Sequence, residues 1–106
     1  GWGGGSVRSE RRAGSGVKPK ANSKVQVRYV GRLADGSVFD QSETPQWFRL
    51  DSVINGWRVA LQEMPVGAKW RLVIFSKQAY GVEGAGDLIP PYAPLVFEVE
   101  LLGTAD

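Results

Sequence analysis

The chain has 106 residues, a formal charge of +2, 42% apolar and 23% charged residues, the proportions of one ordinary globular domain able to bury a core without staples. It has no cysteine and no histidine, which removes disulfides, thiol nucleophiles, imidazole bases and the usual zinc ligands together. No run of roughly 18 apolar residues offers a membrane-crossing helix, residues 1–16 lack the apolar stretch of a signal peptide, and the small charge is not that of a nucleic-acid binder.

Gly1 to Gly5 holds four glycines and a tryptophan and reads as a tail or linker. Residues 6–13 are expected as an edge strand, with Val7 and Ala13 as their apolar residues. Arg8, Arg11 and Arg12 cluster there, but Glu10 interrupts them and no aromatic interleaves, so the segment reads as solvated rather than phosphate-binding. Gly14-Ser15-Gly16 breaks the chain, dividing residues 1–13 from a domain of residues 14–106, and Pro19 delays entry into a central strand.

From Lys24 the pattern alternates: Val25, Val27, Tyr29 and Leu33 point one way, Lys24, Gln26, Arg28 and Arg32 the other. Asp35-Gly36 signals a tight hairpin because both residues tolerate positive φ, and the strand returns over Ser37 to Asp40. A polar loop, Gln41 to Gln46, leads to a short strand from Trp47 to Leu50. The spacing predicts one helix, Gly56 to Met64, with Trp57, Ala60, Leu61 and Met64 on a single face; Pro65 and Gly67 end it. Lys69 to Phe75 alternates again, with Trp70, Leu72 and Ile74 together. Ser76 to Pro94, rich in glycine and proline, is a loop too long for a passive connection, which suggests function. Leu95 to Leu102 is the last strand. An antiparallel sheet with one helix covering a face is an α+β domain.

The long loop also carries the most informative motifs: Gln78-Ala79-Tyr80-Gly81, then Ile89-Pro90-Pro91-Tyr92, followed directly by the last strand. Val38-Phe39-Asp40 and Val53-Ile54-Asn55-Gly56-Trp57 stand upstream of them. An Ala-Tyr-Gly alone is weak, since Tyr-Gly pairs are common in turns; four motifs in one order are far stronger. From Gly14 to Leu102 the chain resembles the FKBP-type peptidyl-prolyl cis–trans isomerases, the immunophilins inhibited by tacrolimus and rapamycin. Glu63 to Trp70 looks most like bacterial members, including the macrophage-infectivity-potentiator group.

The resemblance implies a bent antiparallel sheet wrapped around one short helix, and an enzyme that speeds rotation about Xaa-Pro bonds and so assists protein folding. It implies proline-containing polypeptides as substrates, tacrolimus and rapamycin as inhibitors, no cofactor and no metal. It also implies a monomer and a bacterial periplasm or cell envelope, with the cytoplasm as the alternative. Trp57 would lie beneath the prolyl ring, and Tyr29, Phe39, Phe48, Val53, Ile54 and Phe97 would form the apolar wall. The Tyr80 hydroxyl would donate to the substrate carbonyl, and Asp40 would be the carboxylate at the pocket edge. Leu88 and Ile89 would hang over the pocket, with the Ile89 N–H as a donor to ligand. Read without the resemblance, Tyr29 and Phe97 are core residues on inward strand positions, and Trp57 is the anchor of the helix.

The chain departs from the small eukaryotic members in its rim. Gln41 to Pro45 is shorter, and no arginine stands where those place one beside the aspartate, so Arg28 and Arg49 become the candidate partners of Asp40. Gln46 replaces a pocket phenylalanine, leaving Phe48, with Trp47 beside it, to close that side. An isomerase needs no acid–base group, so the absent histidine and cysteine weigh against most hydrolases and not against this activity. A non-catalytic module holding proline segments in the same groove is the alternative reading, and the presence of Tyr80, Asp40 and Trp57 favours the enzyme.

Overall fold

The computed structural model describes residues 6–106; the expected tail, Gly1 to Gly5, lies outside them. In chain order the elements are β1 (Ser6–Arg12), β2 (Lys24–Leu33), β3 (Val38–Gln41), β4 (Gln46–Arg49), α1 (Asn55–Glu63), β5 (Lys69–Ile74) and β6 (Leu95–Ala105), with short 3-10 turns at Leu50–Ser52 and Ser76–Gln78. The strands form one antiparallel sheet in the order β1-β5-β6-β2-β3, with β4 also on β2.

The ladder between β2 and β6 runs from Lys24 opposite Ala105 to Leu33 opposite Leu95 and is the spine of the sheet. On the other edge of β2 two short strands share the pairing: β4 along Lys24 to Val27 and β3 along Val30 to Arg32. Ser42 fills the gap between them. Its Oγ accepts the Tyr29 N–H at 2.8 Å, and its own N–H donates to the Tyr29 carbonyl at 3.0 Å. Backbone groups at the break are thereby satisfied, as buried ones must be.

Alternation puts Val25, Val27, Trp70, Leu72, Ile74, Leu95, Val99 and Leu101 on the inner face, all at 0–1% exposure. The helix lays Trp57, Ala60 and Leu61 against them, joined by Met64 just past its end. Met64 leaves helical geometry because Pro65 disfavours the α region in the residue before it.

Several element ends differ from the sequence expectation by a residue or more, and two of these differences have a visible cause. β6 runs three residues further, because Gly103, Thr104 and Ala105 find partners on the start of β2 although they carry no apolar pattern. At the hairpin only Gly36 takes positive φ (91°). Its N–H donates to Leu33 O at 2.9 Å, while the Asp35 carboxylate accepts from the Ser37 N–H and hydroxyl. Those bonds lower the Asp35 pKa and hold Ser37 in the turn, so β3 starts at Val38. The expected edge strand forms as β1, where Arg8 lies 4.3 Å over the Trp70 ring and Arg12 bonds Glu100 at 3.1 Å.

Candidate functional site

Between α1 and one end of the sheet lies a cavity of about 380 Å³. β2 contributes Tyr29, β6 Phe97, β4 Phe48 and α1 Trp57; the segment entering the helix adds Ser52, Val53 and Ile54, β3 adds Phe39 and Asp40, and the long loop adds Tyr80. Trp57 and Phe97 are 4% and 5% exposed and form the bottom.

The rings fix one another. Around the Trp57 indole stand Tyr29 at 5.1 Å, Phe97 at 5.3 Å and Phe48 at 5.8 Å between centroids, at 87°, 77° and 85°. Phe39 meets Phe97 at 5.6 Å and 81°. Edge-to-face contacts of this kind contribute about 0.5–1.5 kcal/mol each beyond area burial, and they hold the lining in one arrangement. The Trp57 indole N–H is buried without a hydrogen-bond partner among the described residues, a cost of about 1–3 kcal/mol that the apolar site carries.

One polar pair interrupts the apolar lining. The Tyr29 hydroxyl donates to Asp40 Oδ2 at 2.7 Å. Burial, then the hydrogen bond to Asp40, then its charge push the Tyr29 phenol far above its ordinary pKa, so it keeps its proton and holds the carboxylate in place. Neither expected partner does this: Arg28 is 3.9 Å from Glu100, and Arg49 bonds Asp51 at 2.9 Å. The reason is register. Asp40 sits opposite Gly31, on the face of β2 that Tyr29 also uses two residues earlier, whereas Arg28 points to the other face.

The loop is tied by its own backbone. Gly81 N–H donates to Ser76 O at 2.9 Å, Gly84 N–H to Tyr80 O at 3.2 Å, and Tyr92 N–H to Gly81 O at 2.9 Å. Ala85 and Ile89 exchange a reciprocal pair at 2.9 and 3.1 Å. Gly84, at φ 68°, is required at that crossing: a Cβ there would lie 2.2 Å from Ile89 O.

All the predicted lining residues reach the cavity except Leu88 and Ile89. Leu88 lies in the turn closed by the Ala85–Ile89 pair and is 65% exposed, while Ile89 is 5% exposed in the core. The Ile89 N–H, expected as a ligand donor, is committed to Ala85. Ile54, at the helix entry, has the complementary property: its carbonyl accepts from Arg58, but its N–H has no backbone partner among the described residues. First-turn N–H groups are the orphans of any helix, a signal present in the sequence once the helix start is placed. Ser52 was missed as well; nothing in a Ser before Val-Ile marks it as lining a cavity. Trp47 does not close the rim: it stands 52% exposed, opposite Gln26 on β2.

A bent antiparallel sheet over one helix, with an aromatic cavity and one phenol–carboxylate pair at its edge, defines a receptor for a neutral apolar ring beside a polar group. It contains no nucleophile–base pair of the hydrolase kind. The chain belongs to the FKBP-type peptidyl-prolyl cis-trans isomerase family, whose model matches residues 15–102. It is 67% identical over 100 residues to a probable FKBP-type 25 kDa peptidyl-prolyl cis-trans isomerase of Pseudomonas aeruginosa, covering 94% of this chain and 44% of that protein. It is 50% identical over 97 residues to the macrophage infectivity potentiator of Trypanosoma cruzi, covering 88% and 50%. A crystal structure of a peptidyl-prolyl cis-trans isomerase from Pseudomonas syringae superposes with a TM-score of 0.94 at 65% identity, over 95% of this chain and 76% of that one. The chain thus spans half or less of the length of these two curated relatives.

Proposed function

We propose that this chain is an active peptidyl-prolyl cis–trans isomerase, acting on exposed Xaa-Pro bonds of unfolded polypeptides, with residues 14–106 as the catalytic domain and β1 as its edge strand. The observation that carries the reading is the aromatic cavity around Trp57 with the Tyr29–Asp40 pair at its edge. Rotation about the amide faces a barrier of about 18–20 kcal/mol because it breaks C–N resonance. The planar amide is the more charge-separated form, so moving it from water into an apolar cavity favours the twisted form. Each 1.36 kcal/mol of preference for that form over the planar isomers is about a tenfold gain in rate.

In this reading the prolyl ring lies on Trp57, within the wall of Tyr29, Phe39, Phe48, Val53, Ile54 and Phe97. The Tyr80 hydroxyl and the free Ile54 N–H donate to substrate carbonyls, and Asp40, fixed by Tyr29, faces the polarised amide. Tacrolimus and rapamycin compete for the same cavity. The domain acts as a monomer, in the periplasm or envelope of a bacterium; 41% identity over 93 residues to the outer membrane protein MIP of Legionella longbeachae supports that location, and among the described residues no helix is long and apolar enough to cross a membrane.

A protease-coupled assay on a Xaa-Pro tetrapeptide series tests the reading. Saturable acceleration of the cis-to-trans step, abolished by tacrolimus, is the expected result. Peptide binding without acceleration would assign the cavity instead to a module that holds proline segments.

A further inference from the structure

The strand that carries Asp40 is irregular at one position. Gly31 on β2 pairs with Asp40, but the next residue, Arg32, pairs with Val38, so Phe39 is the extra residue of a β-bulge. A bulge re-aims side chains, setting two residues against one on the partner strand. Here Phe39 and Asp40, consecutive in sequence, both line the cavity.

On its other side Gly31 pairs with Phe97. The space above its Cα is therefore already occupied: a Cβ built there would lie 2.8 Å from Phe39 Cζ and 2.8 Å from Phe97 Cε1, closer than carbon atoms pack. Gly31 is not among the glycines with positive φ. Its backbone is one that other residues adopt, and the requirement for glycine comes from side-chain space alone.

We propose that Gly31 is a positioning residue for the cavity: its empty inward position lets the bulged Phe39 close edge to face on Phe97 and so sets the wall beside Asp40. Gly31 itself touches no substrate. A methyl group at this position displaces both ring tips, and since both rings line the cavity the displacement is felt by whatever binds there. The inference rests on the cavity being the prolyl site and adds to it a determinant of shape lying outside the lining.

A double-variant cycle tests it. Gly31→Ala should lower kcat/KM by about 10- to 100-fold, the scale of a misplacement near 1 Å, at temperatures well below its melting point. Phe39→Leu alone also lowers activity, because it removes part of the wall. Adding Gly31→Ala to Phe39→Leu should then cost clearly less than Gly31→Ala costs in the wild type, because one of the two rings the methyl would strike is gone. A merely structural glycine gives full additivity instead, Gly31→Ala costing as much in the Phe39→Leu background as in the wild type. Wild-type activity in a folded Gly31→Ala, an undiminished Gly31→Ala effect in the Phe39→Leu background, or a double variant that fails to fold would each overturn the proposal. A crystal structure of Gly31→Ala separates this inference from the functional reading beneath it. Rings 39 and 97 shifted toward the cavity support the positioning role even in a protein without isomerase activity, and unmoved rings refute it whatever the activity.

Discussion

Regular secondary structure walls most of the cavity, and the loop between β5 and β6 adds Tyr80 to it; the two are held by different means. On the strand side, direction follows from pleat and register: Tyr29, Gly31 and Phe97 face inward because period-two alternation and the β2–β6 ladder leave them no other course. On the loop side each residue is aimed by an individual turn. Leu88 and Ile89 are neighbours of similar chemistry, yet one is 65% exposed and the other 5%, because the Ala85–Ile89 pair turns one out and one in. Rigid walls shape a site, while a loop tied by a few backbone bonds brings the Tyr80 side chain to it from outside the sheet.

The largest effect that sharpens this contrast is on stability. Leu101→Ala, fully buried on the strand side, should destabilise by about 2–5 kcal/mol in urea unfolding; a loss below 1 kcal/mol would mean that the sheet face is not packed as described. Next come the polar groups of the site. Asp40→Ala and Tyr80→Phe each remove about one hydrogen bond or charge contact worth about 1–3 kcal/mol, so kcat/KM should fall by about 5- to 160-fold. Complete loss in a folded variant would point to direct proton transfer.

Leu88→Ala should change stability by no more than about 0.5 kcal/mol, as expected of an exposed turn residue, and leave tacrolimus affinity unchanged; a clear loss of affinity would bring the turn back over the cavity. The smallest effect is that of pH. No histidine or cysteine is present, so activity should be level from about pH 6 to 8.5, and a bell-shaped profile would contradict the mechanism. At alkaline pH the raised Tyr29 pKa has a definite sign. Its stabilising contribution is complete below the ordinary phenol value near 10 and is lost as pH rises through the folded-state value. Unfolding curves of the wild type and Tyr29→Phe should therefore draw together above about pH 10.

The difference between wall and loop also decides what the sequence disclosed. Alternation in Lys24–Leu33 and Leu95–Leu102, and the spacing of Trp57, Ala60 and Leu61, are local signals of an inward face, and they were sufficient for the strands and the helix. The four ordered motifs pointed to the family. Asp40's partner was not legible, because pairing with Tyr29 depends on which residue of β2 stands opposite Asp40. The bulge at Phe39 was hidden for the same reason. Leu88, Ile89 and the competing donor at Ile54 depend on loop hydrogen bonds and a helix start that residue types alone do not specify.

The central claim is that the Trp57 indole is the surface on which the prolyl ring sits, and Trp57→Leu tests it most directly. Leucine is a good helix former that still fills the apolar face, so the variant should fold at a cost of about 1–3 kcal/mol for the cavity left. Tacrolimus should quench or shift wild-type fluorescence saturably; measured against the Leu variant, which retains Trp2, Trp47 and Trp70, the change should disappear with Trp57. Isomerase activity and tacrolimus affinity should fall with it. A folded Trp57→Leu protein that keeps both would place the site elsewhere on the molecule.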